Sequence, residues 1–210
     1  MKLHSSPIAP NPVRVELYCA EKRAGGCDLG MERVLVNLRE GEQNEATHTA
    51  RNPFKRLPVL ELDDGSFLIE SLVIMEYLEE LHPEPCMIGR TPLERAHVRE
   101  LERIAEQGVL QQIARLIHAT RSPLGLPPSA DIAEAARRVM PNSLKYLDDQ
   151  LADGRQFLAG SKPTIADCTL AAGLQFGRFG KVPLDTKYQN LARWDAAYRE
   201  REPAKDVLDM

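Results

Sequence analysis

The sequence lacks several features that would assign it to a particular class of protein. It has no apolar run long enough to cross a membrane, and residues 1–12 carry no apolar signal region. Neither sign of charge dominates, since 27 lysines and arginines stand against 31 aspartates and glutamates, for a net charge of -4. We therefore expect no membrane partner and no nucleic-acid partner, and we expect the protein to lie in the cytoplasm.

Cysteine is also sparse, and its spacing carries no metal or disulfide signal. The four cysteines are Cys19, Cys27, Cys86 and Cys168. They form no C-x-x-C pair and have no metal-ligand spacing with histidine. In a cytosolic chain of this size the default is a set of reduced thiols, so the sequence predicts neither a metal site nor a structural disulfide.

The most informative stretch covers residues 52–81. Within Leu57–Leu62, Pro58 stands in front of a predicted strand, and Asp64-Gly65 then forms a hairpin turn. A second short strand, Phe67–Ile69, follows directly. Ser71 then opens an amphipathic helix that a proline stops two residues after Leu81.

The start of this helix and the bend at Pro58 suggest that the stretch binds a ligand. With Ser71 as the cap, the N-terminus of the helix is a ready anion site, and the carboxylate of Glu70 lies next to it. Together they could hold a group with both a carboxylate and an ammonium, such as the end of an α-amino acid. If the bond before Pro58 is cis, an extended peptide could pair with the backbone of Val59 like an added strand.

The N-terminal half reads as strand, helix, strand, polar segment, hairpin and helix. The first helix should begin with Asn11 as its N-cap and end at Gly25-Gly26. Residues 32–38 read as a second, buried strand, parallel to the first because a helix lies between them. This order is the thioredoxin-like arrangement, and it ends near Pro83.

From Thr91 onward the chain predicts helices alone. Thr91 caps a long helix that should bend at Gly108. Ser129 or Asp131 caps the next one, which Pro141 should kink or break. A capping-box pattern then starts a further helix at Thr164 and Asp167, and a last helix covers residues 189–201.

Two of these motifs resemble one known family. NPFKRLPVLELDDGSFLIESLVIMEYLEE resembles the glutathione-binding core of the cytosolic glutathione S-transferases, and Thr164-Ile165-Ala166-Asp167 is similar to the N-capping box of their helical domain. The resemblance covers essentially the whole chain. It implies an α/β thioredoxin-like domain over residues 1–82, a linker over 83–90 and an all-α helical-bundle domain over 91–210.

The resemblance also implies a function. Glutathione would be the co-substrate, without a metal, and a small hydrophobic electrophile would be the second substrate. The protein would be a homodimer, joined through the helix from Ser71 and the long helix from Thr91. Asp167 would serve folding and not catalysis.

The resemblance assigns the glutathione-binding residues by position. The backbone of Val59, next to Leu57 and Pro58, would pair with the cysteinyl part, and Glu70 and Ser71 would bind the γ-glutamyl end. The glycine carboxylate would contact a cation or an amide, with Arg56 and Gln43 as the candidates.

The residue that activates the thiol is left open. The thiolate is the attacking form, and the family stabilises it with Tyr, Ser or Cys after the first strand. Alignment on Arg14-Val15 places Ala9 at that position, and alanine has no donor. The candidates are the Asn11 side chain, Ser5 or Ser6, and backbone N–H groups alone.

The second substrate should sit between the two domains. Its expected walls are Ile8 and the inner face of the long helix, at Ile104, Gly108, Gln111 and Gln112.

Other functions of the same fold remain open. One is a glutathione-dependent isomerase, peroxidase or lyase. The other is a non-catalytic protein that works by protein–protein contact, which the alanine at position 9 keeps open. Turnover with glutathione indicates the enzyme, and absence of glutathione binding indicates the interaction protein.

Overall fold

The computed structural model describes residues 1–209, which form a four-stranded sheet followed by a set of packed helices. The strands are β1 (Lys2–Ser5), β2 (Glu32–Leu35), β3 (Val59–Glu61) and β4 (Phe67–Ile69). The helices are α1 (Pro10–Ala24), α2 (Ala46–Arg51), α3 (Ser71–Leu81), α4 (Pro92–Ala105), α5 (Gln111–Arg121), α6 (Ala130–Gln150), α7 (Ile165–Phe179), α8 (Gln189–Arg199) and α9 (Glu202–Leu208). The predicted fold class, a thioredoxin-like half followed by an all-helical half, is confirmed.

The sheet has the strand order β2-β1-β3-β4. β1 and β2 are parallel, as the intervening helix predicts, and the two remaining pairs are antiparallel. The turn between β3 and β4 is a tight hairpin, in which the Leu62 N–H donates to the carbonyl of Ser66 at 2.9 Å. Gly65 has φ = 83°, a left-handed conformation that glycine adopts without a steric penalty.

The second strand differs from its prediction. β2 is exposed along most of its length, because it is the edge strand of the sheet and pairs with β1 alone. It also ends at Leu35 and not at residue 38. The side chain of Asn37 accepts hydrogen bonds from the backbone N–H groups of Arg39 and Glu40, and this turn ends the strand.

Two predicted helix caps lie one or two residues away from their expected places. α1 begins at Pro10, with Ala9 at the cap position, so Asn11 is inside the first turn. Prolines at both ends of that turn favour the earlier start, since neither needs a partner for an N–H group. α3 has Glu70 at its cap position, and Ser71 is its first helical residue.

The helical half follows its sequence signals closely. Thr164 forms the predicted capping box, and Ser129 caps α6. Thr91 is the predicted cap of α4, and it forms a capping box with Glu94. α4 and α5 are joined by a π-helical turn over Glu106–Leu110, which includes the predicted bend at Gly108.

The later helices agree with their predictions except at one end. α6 continues through Pro141 without a break, because buried residues on both sides of the proline hold it against its neighbours. The helix predicted over residues 189–201 is α8, which ends at Arg199, and the sequence analysis missed the short α9 that follows from Glu202.

α7 lies at the centre of the molecule. Almost all of its side chains are buried, and it packs against α1, α4 and α5. The helical half therefore contacts the first helix of the thioredoxin-like half directly. α3 ends at Leu81 and α4 begins at Pro92, so the predicted linker falls between two helices, while the domain limits themselves stay a prediction. None of the helices within residues 1–209 is both long and apolar enough to span a bilayer.

Candidate functional site

A cavity of about 530 Å³ opens between the end of β1 and the helical half. One wall comes from the loop over residues 6–10 and from residues 35–39, which follow the edge strand. The opposite wall comes from His118 on α5, from Phe176 and Phe179 on α7, and from the loop after α5. The cavity thus lies at the carboxyl end of β1, where the two halves of the chain meet.

The predicted second-substrate residues fall partly in this cavity. Ile8 lines it, together with Ser6 and Ala9. The other four, Ile104, Gly108, Gln111 and Gln112, are not among its lining residues, and this prediction is corrected.

The contacts of those helical residues explain the correction. Gly108 lies so close to Ser143 of α6 that a Cβ atom would clash there. The Gln112 amide donates to the carbonyl of Gln107 at 2.7 Å, and the Gln111 amide donates to Glu106 at 3.1 Å. The helical wall of the cavity comes instead from the later half of α5 and from α7.

The candidates for thiol activation lie in three different environments. Ser5 is fully buried and its hydroxyl donates to Glu16, so it faces α1 and not the cavity. Ser6 lines the cavity. The Asn11 side chain points toward Ser71, with 3.5 Å between Asn11 Oδ1 and Ser71 Oγ.

Backbone N–H groups are the third candidate for stabilising the thiolate, and the prolines in the first turn of α1 reduce their number. Pro10 and Pro12 have no N–H group, and the Val13 N–H donates to the carbonyl of Ala9 at 3.1 Å. Asn11 therefore carries the one N–H group of this turn that can reach a ligand.

Ser71 is held by a buried arginine that the sequence did not single out. Arg14 Nε donates to Ser71 Oγ at 2.8 Å, and Arg14 Nη2 donates to the same oxygen. Arg14 Nη1 lies 2.9 Å from Glu102 Oε1 and 3.3 Å from Glu106 Oε2. Thr169 Oγ1 also donates to Glu102, at 3.2 Å. We call these five residues the Arg14 cluster; it joins the N-terminus of α3 to α4, the π turn and α7.

The pKa of the Glu102 carboxyl group in this cluster is shifted. Burial raises the pKa of Glu102 to about 7, although the Arg14 guanidinium acts in the opposite direction. Two N–H groups of Arg14 donate to Ser71 Oγ, so the Ser71 hydroxyl hydrogen points away from Arg14. It donates to Asn11 Oδ1 at 3.5 Å, a long hydrogen bond that a stronger acceptor can replace. Ser71 can therefore donate to a carboxylate bound at the start of α3.

Glu70, next to Ser71, is exposed and has φ = 72°. A non-glycine residue in this conformation is strained by about 1–3 kcal/mol, and such strain is common where side chains are positioned for binding. Glu70 and Ser71 thus lie together at the N-terminus of α3, as predicted.

The peptide bond between Leu57 and Pro58 is cis, which is the condition that the sequence analysis set for a backbone exposed at this bend. Val59, however, lies inside β3 and is paired with His4 of β1 on one side and with Ile69 of β4 on the other. An added peptide strand cannot pair there, because both edges of β3 are occupied. Leu57, which precedes the strand at the bend, is the better candidate for backbone pairing.

The two candidates for a carboxylate contact lie near this bend. Arg56 is exposed, and its carbonyl accepts from Asn52 Nδ2 at 2.9 Å, which fixes the loop before the cis proline. Gln43 is half-buried, and its Oε1 has no hydrogen-bond partner within residues 1–209.

His118 is a polar residue of the cavity that the sequence reasoning missed. Its Nδ1 lies 2.9 Å from Ser122 Oγ, and its ring packs against Phe176 with centroids 6.2 Å apart. Burial lowers its pKa from the ordinary value of 6.5, so the ring is neutral at pH 7. The one local signal was a histidine four residues before a serine at the end of a helix.

Comparison with known proteins agrees with this architecture. The family model "Glutathione S-transferase, N-terminal domain" matches residues 3–86, and "Glutathione S-transferase, C-terminal domain" matches residues 130–197. Glutathione S-transferase 2 of Saccharomyces cerevisiae is 29% identical over 100% of this chain and 90% of its own length. Maleylacetoacetate isomerase of Pseudomonas aeruginosa is 29% identical over 97% of this chain and 96% of its own. The crystal structure of a glutathione S-transferase from Methylobacillus flagellatus KT with GSH bound has a TM-score of 0.84, at 29% identity over 98% of each chain.

Proposed function

Because the chain belongs to the glutathione S-transferase family and is a glutathione-dependent transferase, we propose that it joins the sulfur of glutathione to a small apolar electrophile bound in the cavity at the end of β1. The observation that carries this proposal is the position of that cavity. It touches the loop before α1 on one side and an aromatic wall from α7 on the other.

Glutathione lies, in this proposal, along the N-termini of α1 and α3. Its γ-glutamyl carboxylate accepts from the Ser71 hydroxyl, and its ammonium group pairs with Glu70. Its cysteinyl part pairs with the backbone of Leu57. Its glycine carboxylate contacts Arg56 or Gln43. The exposed side chain of Glu70 and the position of Ser71 as the first residue of α3 support this placement.

His118 is our candidate for the base that activates the thiol, since Ala9 has no donor. When its Nδ1–H donates to Ser122, its Nε2 is left as an acceptor facing the cavity. Nε2 takes the thiol proton, the sulfur anion forms a bond to the electrophilic carbon, and the leaving group departs with its electron pair. Ser6 and Asn11 remain alternative donors to the sulfur anion.

The proposal is tested by titrating glutathione into the protein and following the ultraviolet absorbance of the thiolate. We expect binding with a thiolate signal near neutral pH. In His118→Ala we expect kcat to fall about 100-fold, while the dissociation constant of glutathione changes little, because general bases typically contribute a factor of about 100 or more to a rate. Ser6→Ala and Asn11→Ala, measured in parallel, identify which group stabilises the anion.

The pH dependence gives an independent readout for His118. Burial lowers its pKa below 6.5, so the neutral base persists as the pH falls to 6.5 and is lost below it. We expect kcat/KM of the wild type to decrease on the acid side of that value, and the decrease to vanish in His118→Ala. A protein that folds but binds no glutathione would exclude the enzyme and indicate an interaction protein.

An isomerase is the second candidate, supported by the 29% identity with maleylacetoacetate isomerase over nearly the full length of both chains. In such a reaction the thiolate adds to a conjugated double bond, the bond rotates, and the thiolate leaves again. Glutathione is then returned and not consumed. Measuring glutathione consumption against product formation separates the two reactions.

We also propose that the protein is a homodimer of the cytoplasm. Several apolar side chains of the two helices expected at the dimer interface are exposed, and Leu93 at the start of α4 has 67% exposure. Val73 and Leu81 of α3 are exposed as well. Exposed apolar groups on adjoining elements are typical of a protein–protein interface.

This proposal predicts the mass of the protein in solution. Light scattering should give twice the chain mass of 23.5 kDa. Leu93→Glu should shift the equilibrium toward the monomer, because it places a charge in an apolar interface. Leu126→Glu is the matched control, since Leu126 is exposed in the loop after α5. A monomeric wild type would contradict the proposal.

A further inference from the structure

The cavity at the end of β1 has an apolar body and a charged rim. Apolar side chains line both walls, and two of them are exposed to solvent, Leu35 at 62% and Phe179 at 42%. Phe176 and Phe179 stack with their ring centroids 5.8 Å apart and an interplanar angle of 16°. Such a wall fits a flat apolar ligand.

The rim of the cavity contains one carboxylate, Glu42, which accepts a hydrogen bond from the backbone. Glu42 Oε2 accepts from the backbone N–H of Asn37 at 2.7 Å. Asn37 in turn accepts from the backbone N–H of Arg39 at 3.1 Å. These contacts fix the loop after β2 and turn the Glu42 carboxylate onto the backbone.

Arg39 is the one lysine or arginine among the lining residues of the cavity. Its side chain is exposed and has no ion-pair partner within residues 1–209. His118, on the opposite wall, is neutral at pH 7. The free charge that a bound ligand meets is therefore the Arg39 guanidinium, whose planar fork suits a carboxylate or a similar oxyanion.

We propose that the preferred electrophiles of this site combine a flat apolar body with an anionic group, which Arg39 binds. This inference rests on the proposed transferase function and names the substrate class of the same cavity. The apolar body lies against the Phe176 and Phe179 wall, and the anionic group lies at the rim formed by residues 37–42.

A matched pair of substrates tests the charge preference. We suggest 4-chloro-3,5-dinitrobenzoate and its neutral primary amide, which differ at one substituent. In both, the glutathione sulfur anion forms a bond to the ring carbon that bears chlorine, and chloride leaves with the bonding electron pair. The thiol proton goes to the base or to solvent.

In Arg39→Gln we expect kcat/KM for the benzoate to fall about fivefold more than kcat/KM for the amide, the size of effect measured for ion pairs that remain partly hydrated. The loss should appear in the KM of the benzoate. Raising the salt concentration should reduce the preference of the wild type for the benzoate over the amide, because exposed charges are screened. Arg39→Lys should restore part of the preference, since it keeps the charge without the fork.

Arg137→Gln is the matched control. It removes the same charge from an exposed position on α6, outside the cavity, and should leave the ratio of the two substrates unchanged. A general electrostatic effect of the whole protein would move the ratio in both variants.

The outcomes separate this inference from the proposed function. If the wild type turns over neither substrate, the transferase function itself fails. If it turns over the amide and Arg39→Gln leaves the ratio of benzoate to amide unchanged, the transferase function stands and the anionic preference is wrong. If Arg39→Gln instead raises the KM of glutathione equally with both substrates, Arg39 binds the glycine carboxylate of glutathione, and the inference is likewise overturned.

Discussion

Replacing Arg14 with methionine is expected to weaken glutathione binding about tenfold and to lower the free energy of unfolding by about 3–5 kcal/mol. Arg14 is 1% exposed, and it is the one cation inside the Arg14 cluster. Its removal takes from the buried Glu102 carboxylate its ion-pair partner at 2.9 Å and leaves Arg103, 3.6 Å away and 39% exposed, as the remaining cation beside it. Breaking a buried ion pair from one side is costly for this reason.

The loss of affinity has a separate cause from the loss of stability. Arg14 holds the oxygen of Ser71 with two N–H groups, and so orients the hydroxyl that we propose for the γ-glutamyl carboxylate. Without Arg14 the Ser71 hydroxyl is no longer held in this orientation, in which it donates to Asn11 Oδ1 at 3.5 Å, and it is free to rotate. Arg14 is in this sense a positioning residue, because it acts on glutathione through Ser71.

Arg201→Met provides a control that separates the two effects. Arg201 Nη2 lies 2.5 Å from Glu21 Oε2, and the Glu21 side chain is buried, so this pair also joins the helical half to α1. Its loss should lower stability and leave the glutathione affinity unchanged. Denaturant unfolding gives the first quantity, and calorimetric titration with glutathione below the unfolding transition gives the second.

Arg14→Lys should retain part of the stability, because it keeps the charge, but it cannot hold Ser71 with two parallel N–H groups. We therefore expect its glutathione affinity to lie between those of the wild type and Arg14→Met. The positioning role would be wrong if a folded Arg14→Met bound glutathione within a factor of two of the wild type.

Asp167→Ala is expected to lower the free energy of unfolding by about 3–5 kcal/mol, because three buried donors lose their acceptor at about 1–3 kcal/mol each. Asp167 is fully buried, and its Oδ1 accepts from the Leu158 N–H at 2.9 Å. Its Oδ2 accepts from both the N–H and the hydroxyl of Thr164, each at 2.9 Å. The carboxylate therefore holds the start of α7 and the loop before it together.

The effect can be measured from the midpoint of denaturant unfolding, with Asp153→Ala as the control. Asp153 is exposed and pairs with Arg155, so its loss should change the midpoint little. If Asp167→Ala does not fold, Thr164→Ala provides the same test at a smaller cost of about 1 kcal/mol. A midpoint for Asp167→Ala equal to that of the control would show that the capping box is not needed.

The parts of the fold that sequence reasoning captured are those fixed by neighbours along the chain. The turn at Gly65 and the capping box of Thr164 and Asp167 each involve residues within a few positions of one another. Turn and cap chemistry acts over this range, so the residue types alone were sufficient.

The parts it missed depend on contacts between distant segments. Arg14 reaches Thr169, 155 residues away in the chain, and His118 faces a loop more than a hundred residues before it. No local pattern distinguishes such residues from ordinary helical surface residues. The prediction that Val59 pairs with the cysteinyl part failed for the same reason, because the sequence does not show that β3 lies between two other strands.

The π-helical turn over Glu106–Leu110 determines in which direction the side chains of α5 point relative to those of α4. Before the turn, Glu102 faces Arg14; after it, His118 faces the cavity. Each residue of an α-helix advances the direction of its side chain by about 100°, so one residue more or fewer in the turn rotates everything beyond it by that angle. An insertion or deletion within residues 106–110 would therefore separate the contact of Glu102 with Arg14 from the position of His118 at the cavity. The loop after α5 can change length without altering the orientation of α5 relative to α4.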